Sequence, residues 1–198
     1  LKLGYVIPLH RVFSSVTEQH NWFLAGDKPL LGKFLNPELL TNTNPSINAP
    51  FGFGEVNCTG RIDTQVLIEA YRNFLSQSNQ YIEETFNYQD LIEHSDGLEY
   101  QTLTSQRIVF TEGFGVHKNP YFKHLPLEGT KGELITIHAP SLKLKSILKS
   151  SIFVIPMGDN RYLVGSTYEW TDKTNTPTSE AKTELLEKLA RLIDCEFE

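Results

Sequence analysis

Residues 151–168 read Ser151-Ile152-Phe153-Val154-Ile155-Pro156-Met157-Gly158-Asp159-Asn160-Arg161-Tyr162-Leu163-Val164-Gly165-Ser166-Thr167-Tyr168. Two apolar, β-branched runs, 151–156 and 162–168, flank Gly158-Asp159-Asn160. That turn chemistry predicts a β-hairpin. Just upstream, Leu134, Ile135 and Ile137 make residues 133–138 a further strand. Downstream, Thr176 or Thr178 caps a closing helix with Pro177 near its first position. Leu185, Leu189, Leu192 and Ile193 form the apolar stripe of that helix.

The rest of the chain alternates strand and helix signals less regularly. Residues 5–13 read as a strand, with Pro8 at a bulge or an edge. Ser15 and Glu18 form a capping box for a short helix that carries Trp22 and Phe23 inward and ends near Gly26. Residues 27–49, with Pro29, Pro37 and Pro45, read as loop with one helical turn. Residues 51–62 read as a strand. Asp63 then caps an amphipathic helix with Val66, Leu67, Ala70, Tyr71, Phe74 and Leu75 at helical spacing down to Gln77. Short strands are expected at 81–86 and 107–110, with a hairpin around Asp96-Gly97 between them. Strands outnumber helices, and the pattern predicts an α+β fold: a largely antiparallel, mixed sheet flanked by helices.

Composition bounds the function. Of 198 residues, 39% are hydrophobic and 11% aromatic, enough for a packed core. The net charge of −6 argues against nucleic-acid and anionic-membrane partners, which call for a basic face. No apolar run approaches the about 20 residues of a membrane span. Cys58 and Cys195 allow one disulfide, but two reduced thiols of a cytoplasmic protein is the preferred reading. The six histidines show no metal-binding spacing, and no catalytic residue or metal site is expected. There is no G-x-S-x-G elbow and no phosphate-binding Gly-Lys-Ser/Thr loop. The pairs Gly52-x-Gly54 and Gly113-x-Gly115 lack a third glycine and read as ordinary turns.

The order of segments is more specific than any one of them. Gly60-Arg61-Ile62-Asp63 opens a helix. Arg107-Ile108-Val109-Phe110-Thr111-Glu112-Gly113, Leu125-Pro126-Leu127 and Thr130-Lys131-Gly132-Glu133-Leu134 follow, and then the 153–168 hairpin and Thr176-Pro177-Thr178. Over residues 50–194 this resembles the D-amino-acid-oxidase-like family of FAD-dependent oxidoreductases, the group of the glycine and sarcosine oxidases. The resemblance implies two interleaved domains. Residues 1–59 and 116–198 would be substrate-domain segments. Residues 60–115 would be a partial FAD-domain segment without G-x-G-x-x-G. The chain opens at Leu1 and its only methionine is Met157, so the expectation is an internal piece of a larger enzyme.

The resemblance also assigns residues. Thr111, Glu112 and Gly113 would form the turn beside the flavin nucleotide, where glycine permits close backbone approach. The carboxylate of Glu112 must then point away from the pyrophosphate, which would repel it. Phe153 and Tyr168 would line the substrate side of the flavin. Relatives often hold a carboxylate with a tyrosine near the first position; Phe153 can only pack. Arg11 and Arg61 are the arginines best placed by segment order to clamp a carboxylate, and Arg11 is taken as the substrate contact. The implied parent oxidises the C–N bond of a small amine or amino acid using FAD. Without the fingerprint, the piece itself would bind FAD weakly or not at all and would be inactive. Unpartnered strands predict self-association through apolar edges. The alternative is a non-catalytic ligand-binding or interaction module that keeps the substrate-domain fold. An α+β hydrolase is a weaker third reading, because no nucleophile–base pair stands out in the sequence.

Overall fold

A computed structural model describes residues 4–198. Residues 1–3, with the Leu1 start and the first positions of the expected 1–59 segment, lie outside the described residues. In chain order the elements are β1 (Gly4–Val6), β2 (Leu9–Val12), α1 (Val16–Gly26), β3 (Leu35–Leu40), β4 (Phe53–Val56), β5 (Gly60–Ile62) and α2 (Thr64–Gln77). They continue with β6 (Leu91–His94), β7 (Gly97–Tyr100), β8 (Leu103–Ser105), β9 (Leu134–His138), β10 (Ile147–Lys149), β11 (Phe153–Gly158), β12 (Arg161–Gly165) and α3 (Ser179–Leu192). The fold is α+β, as the sequence predicts.

The chain divides into two compact units. The first holds the residues up to Glu69 together with Lys131–Glu198. Its seven-stranded sheet runs β3-β4-β2-β10-β11-β12-β9, and a separate pair joins β1 to β5. Among the described residues of this unit, only β2 and β10 are parallel neighbours, and the other strand pairings are antiparallel. At the centre is the 151–168 hairpin. Asp159 and Asn160 both take positive φ, 49° and 56°, as a two-residue hairpin turn requires. Alternation along β11 sends Val154 into the core and leaves Phe153 and Ile155 half-buried on the opposite face. Leu185, Leu189 and Leu192 of α3 cover the core face, packing in one cluster with Val12, Leu148, Val154 and Val164. On the other face, Trp22 of α1 lies flat on Gly54, where a Cβ would sit 2.5 Å from the indole ring. The indole N–H donates to the Asn36 carbonyl at 2.9 Å.

The second unit, Ala70–Thr130, is built differently. It holds the three-stranded antiparallel sheet β6-β7-β8. An aromatic cluster joins Phe86 to Tyr88 and Tyr100, and Phe110 to Tyr121 and Phe122. Among its described residues, Asn119 alone is buried.

Several expectations need correction. Residues 81–86 and 107–110 are not strands, because no neighbour completes their ladders. Residues 27–49 contain β3, whose pairing with β4 breaks between Leu35 and Leu39, and that irregularity accommodates Pro37. The expected strand 51–62 is two strands, separated by a turn with Cys58 at φ 57°. Thr178, not Thr176, is the cap of α3, so Pro177 precedes the cap instead of opening the helix. Phe23 is exposed, whereas Trp22 is half-buried. Asp63 caps α2 as expected, accepting from Val66 N at 3.1 Å.

Candidate functional site

Register places the predicted substrate-side residues. Arg11 on β2 is opposite Gly54 and Lys149, and Lys149 on β10 is opposite Phe153. Phe153 is in turn opposite Gly165. Laterally paired residues project to one side of a sheet, so Arg11, Lys149 and Phe153 form a row on the face that α3 does not cover. The Lys149 ammonium stands 4.3 Å from the Phe153 ring centroid. Burial depresses the Lys149 pKa, and the nearby Arg11 and Lys188 charges depress it further. The Arg11 guanidinium turns to the end of the row. It meets Glu18 at 3.2 Å and donates to the Ser150 carbonyl at 3.4 Å. Backbone donation from Ser14, then Arg11, holds the Glu18 carboxyl below its ordinary pKa. Tyr168 follows β12 and is 71% exposed. Lys149 escaped the sequence reading because β10, three residues long, gave no signal of its own.

In the second unit, Thr111-Glu112-Gly113 leads into a 3-10 turn at Gly113–Lys118. Gly113 has φ 56°, which glycine tolerates best, and open space where a side chain would project. The Glu112 carboxylate turns inward: it accepts from the Tyr88 hydroxyl and, at 2.8 Å, from Asn119 Nδ2. That bond raises the Tyr88 pKa. His117 is exposed and its ring meets Phe114 edge-on. Arg61 stacks on Tyr5, 4.1 Å from its ring centroid.

Two polar clusters went unforeseen. Lys131, its side chain only 9% exposed, reaches Asp172 at 2.6 Å and Glu133 at 3.1 Å. Glu133 accepts from the Thr178 backbone N–H and hydroxyl, so the clasp ties β9 to the start of α3. The Lys131 hydrogen bond pulls the Asp172 carboxyl down to about 2. His10 joins two strands and a loop: Nδ1 is 3.1 Å from Ser146 Oγ and Nε2 is 3.3 Å from Glu55. Ser146 is buried at 6% exposure, so this chain of groups fastens β2 to β4 and to the approach to β10. Among the described residues no cluster of His, Cys, Asp and Glu could hold a metal ion, and no helix is long and apolar enough to cross a membrane.

No family model matches the chain. Solved structures do. Glycine oxidase from Geobacillus kaustophilus superposes with a TM-score of 0.73 over 96% of this chain at 17% identity. The fold is that of the glycine oxidases. Glycine oxidase from Bacillus cereus ATCC 14579 superposes at 0.71 over 98% of the chain, with 16% identity. Iminodiacetate oxidase from Chelativorans sp. BNC1 gives 0.65 over 98%, with 14% identity. The chain spans 55%, 58% and 59% of the length of those three proteins.

Proposed function

We propose that this chain is the substrate-side portion of an FAD-dependent oxidoreductase that oxidises the C–N bond of a small amine or amino acid. The observation that carries this reading is the superposition of nearly the whole chain on glycine oxidase. Residues 1–59 and 116–198 form the substrate domain in this reading, and residues 60–115 belong with the nucleotide-binding part. FAD, when bound, accepts the hydride from the carbon next to the substrate nitrogen. Thr111, Glu112 and Gly113 are the residues that approach the nucleotide. Their fit is supported by the Glu112 carboxylate, which Tyr88 and Asn119 hold and so keep from opposing a phosphate. Phe153 packs against the substrate and helps exclude water. Tyr168 and Arg11 supply hydrogen bonds to it. The chain alone does not retain FAD, because the helix N-terminus that would hold the pyrophosphate has no counterpart in its sequence. Free Cys58 and Cys195 are in keeping with a cytoplasmic enzyme.

The test is anaerobic flavin bleaching in the complete gene product, which needs no knowledge of the electron acceptor. Glycine, N-methylglycine or iminodiacetate is expected to bleach the flavin. Failure of every amine and amino acid tried, with flavin bound, would overturn the reading. A second reading, a non-catalytic binding module, is favoured by Phe153, which lacks the hydroxyl that would hold a carboxylate. A complete gene product that binds no flavin would select it.

A further inference from the structure

His10 is the middle member of a chain of three groups that the oxidase reading leaves unused. On β2 it is opposite Glu55 of β4. Its Nε2 is 3.3 Å from the Glu55 carboxylate. Its Nδ1 is 3.1 Å from the hydroxyl of Ser146, in the segment leading into β10. An ionised carboxylate only accepts, so Nε2 carries the proton and Nδ1 offers its lone pair to the serine. Asn36 Nδ2 donates to the other Glu55 oxygen at 3.4 Å, and the Phe53 ring lies 5.5 Å from the imidazole, centroid to centroid. The base is thus oriented from both sides. A cavity of about 340 Å3 opens on the pair, lined by His10 and by Ser146, which is otherwise buried. Phe53 and Leu144 give the cavity an apolar wall. Lys143 and Lys145 also line it, and among the described residues neither has a carboxylate partner.

We propose that Ser146, His10 and Glu55 form an acyl-transfer site that hydrolyses small carboxylic esters. A hydroxyl within about 2.6–3.2 Å of a base that a third group orients is what nucleophilic catalysis needs. The Ser146 oxygen attacks the ester carbonyl carbon while its proton passes to His10 Nδ1. The bond to the leaving oxygen then breaks, and that oxygen takes the proton from Nδ1 and departs as the alcohol. Water, giving a proton to the same nitrogen, attacks the acyl-serine; the acid is released and the proton returns to Ser146. The net change is ester plus water to acid plus alcohol. Lys143 and Lys145, on flexible stems, supply positive charge to the carbonyl oxygen as it becomes an oxyanion. The volume, at the low end of the about 300–1,000 Å3 usual for small-molecule sites, suits a short acyl chain. Glu55 is a positioning residue, because it acts through His10. The two reacting groups are 136 positions apart, which is why no nucleophile–base pair stands out in the sequence. The site is independent of any flavin chemistry.

The test uses the complete gene product, with p-nitrophenyl acetate as substrate and diisopropyl fluorophosphate as label. The expected results are a burst of one nitrophenolate per chain and one phosphoryl group on Ser146, located by peptide mass. S146A should abolish both. H10Q should lower kcat about a hundredfold, and E55Q about tenfold with KM unchanged. Should S146A fail to fold by circular dichroism, the position of the label in the parent protein decides. A merely structural tie between the strands would leave Ser146 unlabelled. That outcome, or hydrolysis as fast in S146A as in the parent, would overturn the proposal.

Discussion

The two units of this chain spend their apolar residues differently. In the first, α3 and seven strands enclose Leu148, Val154, Val164, Leu185 and Leu189 at 0% exposure. In the second, an abundance of aromatic side chains buries none of them. Phe86, Tyr88, Tyr100 and Phe110 touch one another, yet the cluster has no second layer to close it. Composition is therefore a poor guide to stability. What matters is whether a sheet face or a helix stripe is covered, and among the described residues no side chain of β6-β7-β8 or of 107–112 is buried. A three-stranded sheet with one uncovered face sits at the low end of independent stability.

The sharpest way to break this contrast is to cut into both units. Leu189→Ala is expected to lower the free energy of unfolding by about 3 kcal/mol, because it leaves a cavity in a closed core. Phe110→Ala should shift the same urea transition by less than about 1 kcal/mol. Equal costs would mean that Ala70–Thr130 unfolds with the main sheet as one cooperative body. Hydrogen exchange gives the finer view. Amides of β10, β11 and β12 should be the slowest to exchange, and those of 81–86 and 107–112 should exchange nearly as fast as open chain.

The clasp at the start of α3 accounts for a smaller share. Thr178→Ala removes the hydroxyl that accepts from Ala181 N at 3.2 Å, and should cost about 1 kcal/mol in the same assay. Its acidic partners add a pH dependence whose sign is fixed. The Asp172 pKa is lowered from 3.8 to about 2, chiefly by the Lys131 hydrogen bond. The stability this supplies is complete above pH 3.8 and is lost as pH falls towards 2. Glu133 is lowered from 4.5 by the Thr178 backbone N–H, and extends the same loss upwards. Asp172→Asn should flatten the decline of stability across that window. An unchanged slope would place the acid sensitivity elsewhere.

How much of this was legible in the sequence follows from the same contrast. The 153–165 hairpin, the Leu185–Leu189–Leu192 stripe, the Ser15 cap and the Asp63 cap were readable because each is a local pattern that its own surroundings then satisfy. The failures at 81–86 and 107–110 are of another kind. Ile108, Val109 and Phe110 have strand chemistry, but a strand exists only in a ladder, and the described residues offer none. Arg11 and Phe153 were placed by segment order, yet Lys149 between them could not be seen. Its position depends on the parallel pairing of β2 with β10, which brings together Leu9 and Ile147 from distant parts of the sequence.

Helix α2 poses the smallest stability effect and the most telling one. Its apolar stripe is as regular as that of α3, yet Leu67, Tyr71 and Phe74 are 38%, 60% and 59% exposed, and the helix buries no residue. Tyr71→Ser with Phe74→Ser should therefore leave unfolding within about 0.5 kcal/mol of the parent sequence, as exposed positions do. The same double change should reduce self-association of the concentrated chain, measured by sedimentation velocity, because a bare apolar stripe is an adhesive surface. In the complete gene product the two serines should instead be costly, at about 2 kcal/mol or more for two aromatic side chains that then lose a buried contact. A stripe that is indifferent alone and essential in the larger protein would mark α2 as a face shaped for a partner. A stripe indifferent in both would leave its helical periodicity with no packing to explain it.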